Sequence, residues 1–117
     1  MNNKPKYHLF KNTKYALDGL IHALKTESSF RLELFFAVFI IGMIIYIDTS
    51  ITNKLILFVT GILVLIVELV NSAIENVVDL VTKEIEPLAK SAKDLGSTAV
   101  MFSIILHISC WIVILVF

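Results

Sequence analysis

Glu68, Asn71, Glu75 and Asp79 follow one another at spacings of 3, 4 and 4 residues. On an α-helix such spacings stack side chains on one face. Ser72 stands beside them, and Leu69, Val70, Ala73, Ile74, Val77 and Val78 fill the flanks. A charge at membrane depth costs about 3 kcal/mol on insertion scales, so these groups need partners, a wet cavity or a cation. Crowded carboxylate oxygens suit Mg²⁺, which takes carboxylates together with phosphate oxygens. Crowding and desolvation also favour a proton on one carboxylate of such a set, which suits a general base. The chemistry this points to is phosphoryl transfer. Polar glue between helices of an oligomer is the structural alternative. It accommodates one or two polar residues better than four on one stripe.

The elements that position this stripe follow from composition. The chain has 117 residues, 57% of them hydrophobic and 17% charged. Its mean hydropathy is +0.86. A soluble domain carries roughly a quarter charged residues, and a small water-soluble core could not hide this much apolar surface. The chain therefore reads as one all-α membrane domain, 1–117, with an N-terminal amphipathic helix and three membrane-spanning helices. Leu9, Phe10, Leu17, Leu20, Ile21 and Leu24 share one arc of a helix over 7–25. Lys11, Lys14, Asp18, His22 and Lys25 share the opposite arc. This helix is expected to lie in the membrane interface, with packing on the bundle as the alternative. The spans are expected over 29–47, 52–81 and 94–117, since about 20 residues cross the hydrocarbon. The middle run exceeds that, so it should emerge from Glu68 onward as a helical stalk. Thr26, Ser28 and Ser29 are candidate caps between the first two helices. Pro87 is expected to break the helix in the loop before the third span.

Charge placement sets orientation. Lys4, Lys6, Lys11, Lys14, Lys25 and Arg31 precede or open the first span, and Lys83, Lys90 and Lys93 lie between the second and third. Lys54 alone marks the other side. The N-terminus and second loop should face the cytoplasm, and Phe117 the opposite side. The polar, basic segment from Met1 to Lys6 should fray. No cleavable signal precedes the run at Phe30, so the first span should be retained. If the three helices bundle, Lys93 and Asp94 at the third and Glu27 and Arg31 at the first meet the stripe near the cytoplasmic surface. Zero net charge offers no field for nucleic acid. The single Cys110 supports neither an intrachain disulfide nor a cysteine metal site. His107 and Ser109 read as packing or interhelical hydrogen-bonding groups, and Trp111 as an interfacial anchor. No GxxxxGK[ST] loop and no soluble-kinase signature is present.

The run ELVNSAIENVVDLV, followed by EPLAKSAKDLGSTAV, covers Glu68 to Val100. It resembles the prokaryotic diacylglycerol kinase family, whose pattern is E-x-x-N-[ST]-A-I-E-x-V-V-D and then a Lys-Asp pair after a short loop. The likeness extends over nearly the whole chain. It implies a homotrimer in the bacterial cytoplasmic (inner) membrane that phosphorylates diacylglycerol to phosphatidic acid with ATP and Mg²⁺. By resemblance, Glu68 is the general base and Asn71 supports the site. Glu27 and Glu75 hold the metal and, with Lys93, Asp94, Tyr15 and the loop residues Glu84, Ile85 and Glu86, the nucleotide. Lipid contacts are implied from the interfacial helix at His8, Asn12, Ala16, Leu17, Ile21 and Leu24. They continue at the start of the first span with Ser29, Phe30, Arg31 and Glu33, and include Glu68 and Ser97. Two positions depart from the family: His8 stands where arginine is frequent and Leu32 where glutamine is. Both bear on lipid headgroup contacts.

A sister branch phosphorylates undecaprenol and more often reads N-T-A-I-E. Asn71-Ser72-Ala73-Ile74-Glu75 and Asp94-Leu95-Gly96-Ser97 side with the diacylglycerol branch. The rival from another class is a small oligomeric ion or proton channel, which also uses intramembrane carboxylates. A channel leaves the Lys93-Asp94 pair and the cationic amphipathic helix without a role.

Overall fold

The computed structural model describes residues 8–117. It contains α1 (Leu9–Thr26), α2 (Ser28–Tyr46), α3 (Ile51–Val81) and α4 (Pro87–Val116), and no strand among the described residues. The expectations for Met1 to Lys6, and for a helix starting at Tyr7, lie outside the described residues.

The amphipathic pattern of α1 has a direct structural counterpart. Only Ala23 of this helix is buried, and Phe10, Leu17 and Ile21 stand exposed. An apolar arc that the described residues leave largely exposed suits a membrane surface. A single residue, Glu27, separates α1 from α2. Its backbone is extended, its N–H caps α1 on Ala23 O at 2.9 Å, and its carbonyl accepts from Arg31 N at 3.1 Å. Glu27 is thus the N-cap of α2, without a side-chain capping bond. None of Thr26, Ser28 and Ser29, read from the sequence as caps, occupies that position. Such a tight joint leaves no loop to unfold between the two helices.

The α2–α3 turn is fixed by local polar contacts. Ser50 Oγ accepts from Asn53 N at 3.1 Å, the usual N-cap arrangement. Asn53 Nδ2 donates to Thr49 Oγ1 at 2.9 Å, and Lys54 Nζ reaches the C-terminal carbonyl of Ile45 at 2.9 Å. A cation on the last carbonyls of α2 complements its dipole.

Helix α3 has 31 residues, so it is about 46 Å long at 1.5 Å per residue. That exceeds a hydrocarbon core of about 30 Å. The excess falls at the polar end, beyond Glu68. Helix α4 has 30 residues and starts at Pro87, seven residues before the expected span start at Asp94. Pro87 does end the preceding loop, but as a first helical residue rather than as a breaker. Proline has no N–H to donate, and the first turn needs none. Hydropathy marked where α4 turns apolar, not where it becomes helical.

Three of these helices are long and apolar enough to cross a membrane. Packing is mainly α3 on α4, with α2 against α3 and α1 against α2. Among the described residues only Ala23, Phe30, Ile44 and Leu57 form a buried apolar core. Most Leu, Ile, Val and Phe side chains of the spans face outward, as lipid or neighbouring helices would require.

Candidate active site

Glu68 is the eighteenth residue of α3, which places it about 26 Å along the helix axis from Ile51. That is near the far edge of the hydrocarbon. Glu68, Asn71 and Ser72 are all buried. The stripe read from the sequence therefore faces inward at this level, while Glu75 and Asp79 are half-buried one and two turns further on.

Across from Glu68 stands Glu33 of α2. Their carboxyl groups lie close enough to interact. The start of the first span was expected to reach for headgroups, yet Glu33 turns inward and its Oε2 is buried without a partner. Glu75 and then Glu27 are the next charges within Coulombic reach of Glu68. Three elements thus converge: the α1–α2 joint, the first turns of α2 and the middle of α3. The sequence carried no signal for the Glu33–Glu68 approach, because it depends on where α2 crosses α3.

Asn71 is held between α3 and α4. Its Nδ2 donates to Glu75 Oε1 at 3.2 Å, and its buried Oδ1 has no hydrogen-bond donor. Gly96 of α4 lies directly against that oxygen, and a Cβ there would collide with it. A glycine is needed at this crossing for close approach rather than for backbone conformation.

The expected cations are committed elsewhere. Lys93 Nζ donates to Asp79 Oδ1 at 2.6 Å, so the last acid of the stripe is already paired. Lys90 Nζ pairs with Asp94 Oδ2 at 2.5 Å along α4. Arg31 donates to the α1 carbonyls of Leu24 and Lys25. Among the described residues no ion pair involves Glu27, Glu33, Glu68 or Glu75. A buried carboxylate without a counter-charge is costly, and Glu68 is the buried member of this group. No three acidic, histidine or cysteine side chains form a ready metal cage among the described residues. Two carboxylates completed by phosphate oxygens are a coordination that Mg²⁺ accepts.

A second concavity lies one step outward. A cavity of about 340 Å³ is bounded by Val78, Asp79 and Thr82 of α3 and its end, Glu84 to Glu86 in the loop, and Ala89, Lys90, Lys93 and Asp94 of α4. Five residues assigned to nucleotide by resemblance line it: Glu84, Ile85, Glu86, Lys93 and Asp94. Lys93 is also within Coulombic reach of Glu75, which links this cavity to the acidic group. Tyr15 does not line it and stands exposed on α1.

The lipid-contact assignments divide. His8, Ala16, Leu17 and Ile21 are exposed along α1, and Asn12 and Leu24 are half-buried. Ser29 and Ser97 are exposed. Phe30 is buried and packs at the joint. A separate apolar cavity of about 270 Å³ runs between α2, α3 and α4 from Glu33 to His107.

At that far end the polar groups close on themselves. Trp111 Nε1 donates to His107 Nε2 at 3.0 Å. Nε2 is therefore the acceptor of a neutral ring, and Nδ1 carries the proton toward Thr60 Oγ1 at 2.8 Å. Thr60 in turn donates to Ile56 O at 2.8 Å. His107 is an interhelical hydrogen-bonding group, as its position suggested. Trp111 spends its N–H on His107 rather than on an interface.

Comparison with known proteins gives the family. A sequence model of the prokaryotic diacylglycerol kinase family matches residues 14–115. The chain is 37% identical over 97 residues to the diacylglycerol kinase of Haemophilus influenzae, covering 83% of this chain and 82% of that protein. It is 38% identical over 103 residues to the Pseudomonas aeruginosa diacylglycerol kinase, covering 88% and 84%. For the diacylglycerol kinase of Escherichia coli strain K12 the identity is 35% over 107 residues, covering 92% and 88%. With matches of this extent, the chain belongs to the prokaryotic diacylglycerol kinase family.

Proposed function

We propose that the protein transfers the γ-phosphoryl group of ATP to the free hydroxyl of diacylglycerol, at the acidic group around Glu68. The observation that carries this reading is the set of Glu27, Glu33, Glu68 and Glu75, which no described cation pairs, beside a cavity lined by Lys83, Lys90 and Lys93 together with four carboxylates, at the edge of the apolar span. A lipid hydroxyl and a phosphate can meet only at such an edge, since acyl chains stay in hydrocarbon and nucleotide stays in water.

Glu68 takes the hydroxyl proton. It is buried and faces Glu33, so the pair can keep a proton within the site. Glu27 and Glu75 would hold Mg²⁺, which when bound supplies positive charge to the phosphates. Asn71 orients Glu75 through its amide hydrogen bond. Lys93 exchanges its contact with Asp79 for a phosphate oxygen and so offsets charge developing there. Glu84, Ile85 and Glu86 close the outer side of the nucleotide cavity. The exposed apolar arc of α1 confines the lipid to the depth of Glu68. Most of the rate enhancement is positioning and electrostatics, as in phosphoryl transfer generally.

In this reading the N-terminus and the loop 82–86 are cytoplasmic, since the described cations cluster at that end. The outward-facing apolar surfaces of the spans supply the contacts of a homotrimer in the inner membrane. Purified protein should consume Mg·ATP in proportion to added short-chain diacylglycerol. Turnover with undecaprenol in place of diacylglycerol would assign the sister activity, and ion flux without turnover would assign a channel.

A further inference from the structure

We infer that Arg31 is a positioning residue that locks the α1–α2 joint and thereby sets the place of Glu27. Its Nη1 donates to Leu24 O at 3.0 Å and to Lys25 O at 3.2 Å. A helix leaves its last carbonyls without partners. In α1, Ala23 O is taken by Glu27 N–H, and Arg31 takes the next two. A cation at that end also complements the helix dipole.

Little else fixes the joint. Helix α1 buries one residue, Ala23, and its apolar arc faces outward. Phe30 supplies apolar packing at the start of α2. The connection is the single residue Glu27, whose extended backbone can hinge. The two hydrogen bonds of Arg31 span this hinge from the first turn of α2 to the last turn of α1. Glu27 lies between the clasped ends, with its charge within reach of Glu68. Arg31 thus commits Nη1 to its own chain.

Arg31 is the sole arginine of the chain, so guanidinium nitrogen-15 in arginine-labelled protein reports this side chain alone. In native protein reconstituted in phosphatidylcholine vesicles, rotational-echo double-resonance NMR should show its signal dephased by carbonyl carbon-13 of leucine and lysine. Absence of carbon dephasing, with or without dephasing by lipid phosphorus-31, would overturn the proposal. The kinetic arm rests on the proposed kinase function. Arg31→Gln should raise the Mg²⁺ concentration for half-maximal turnover roughly tenfold, the size of effect seen when a ligand's support is removed. The rise in the Mg²⁺ requirement should exceed any fall in turnover at saturating Mg²⁺. An equal loss at saturating Mg²⁺ would instead make Arg31 a direct partner of the reacting groups. Should Arg31→Gln not fold, the native NMR measurement still decides. If the native protein shows no lipid-dependent turnover, the kinase reading fails while the NMR result stands on its own.

Discussion

Helix α3 carries two polar clusters of opposite character, one shared with α4 and one facing α2. At Thr60, His107 and Trp111 every hydrogen-bonding atom has found a partner within the chain. At Glu33, Glu68 and Asn71 the carboxylates face each other without a cation, and two oxygens have no partner at all. Both clusters sit at positions where glycine allows close approach, Gly61 against the His107 ring and Gly96 against Asn71. Packing is therefore comparable, and satisfaction is what differs. A closed network joins helices, since buried polar groups with all partners made cost little. An open one is stable only with a ligand, because each unmet buried oxygen carries a desolvation penalty of about 1–3 kcal/mol. The contrast separates a closed polar joint from an open one along a single helix.

The comparison can be broken most forcefully at Glu68. Glu68→Gln keeps the shape and removes the base, and should lower lipid-dependent ATP turnover by about 10²- to 10⁴-fold. Helicity by circular dichroism should not change. Near-native turnover in folded Glu68→Gln would take the base away from this residue. Gly96→Ala forces a methyl group onto Asn71 Oδ1. The variant should lose roughly 1–3 kcal/mol in mixed-micelle denaturation, and turnover should fall because Asn71 holds Glu75.

The closed cluster should respond in the opposite sense. His107→Ala strands the Trp111 N–H and the Thr60 hydroxyl oxygen. Interhelical hydrogen bonds in membranes contribute about 0.6 kcal/mol on average, and up to about 1.7. Denaturation should shift by that order while turnover per folded molecule stays at the native value. A turnover defect without a stability defect would erase the distinction between the two clusters. The smallest effect is expected at Asp79, whose pairing with Lys93 is solvent-exposed. Exposed pairs contribute little to stability, so Asp79→Asn should leave the denaturation midpoint in place. By freeing Lys93 it should lower the KM for ATP, by about two- to threefold. A higher KM would mean that Asp79 itself touches the nucleotide.

Much of this arrangement was legible in the residues. The 3-4-4 spacing of Glu68, Asn71, Glu75 and Asp79 placed them on one face, because helical periodicity is local and needs no partner. Three apolar runs and one amphipathic run gave the helices and their order. Contacts between helices were not legible. Glu33 meeting Glu68 and Lys93 pairing with Asp79 depend on crossing positions that no spacing encodes. Trp111 was read as an interfacial anchor from its place near the end of a span, and only the His107 ring one turn away redirects its N–H. For Arg31 the resemblance implied a lipid contact and gave no sign of its bonds to the α1 carbonyls. The one-residue joint at Glu27, which brings the α1 carbonyls within its reach, appears only in three dimensions.

The open cluster is most directly probed by divalent-cation binding. Mn²⁺ can stand in for Mg²⁺ and be counted by electron paramagnetic resonance on purified protein with a non-hydrolysable ATP analogue. Native protein should bind nucleotide-dependent Mn²⁺, and the folded double variant Glu27→Gln, Glu75→Gln should not. Undiminished Mn²⁺ binding by that variant would mean that the unpaired carboxylates beside Glu68 are not there to hold a metal-bound nucleotide.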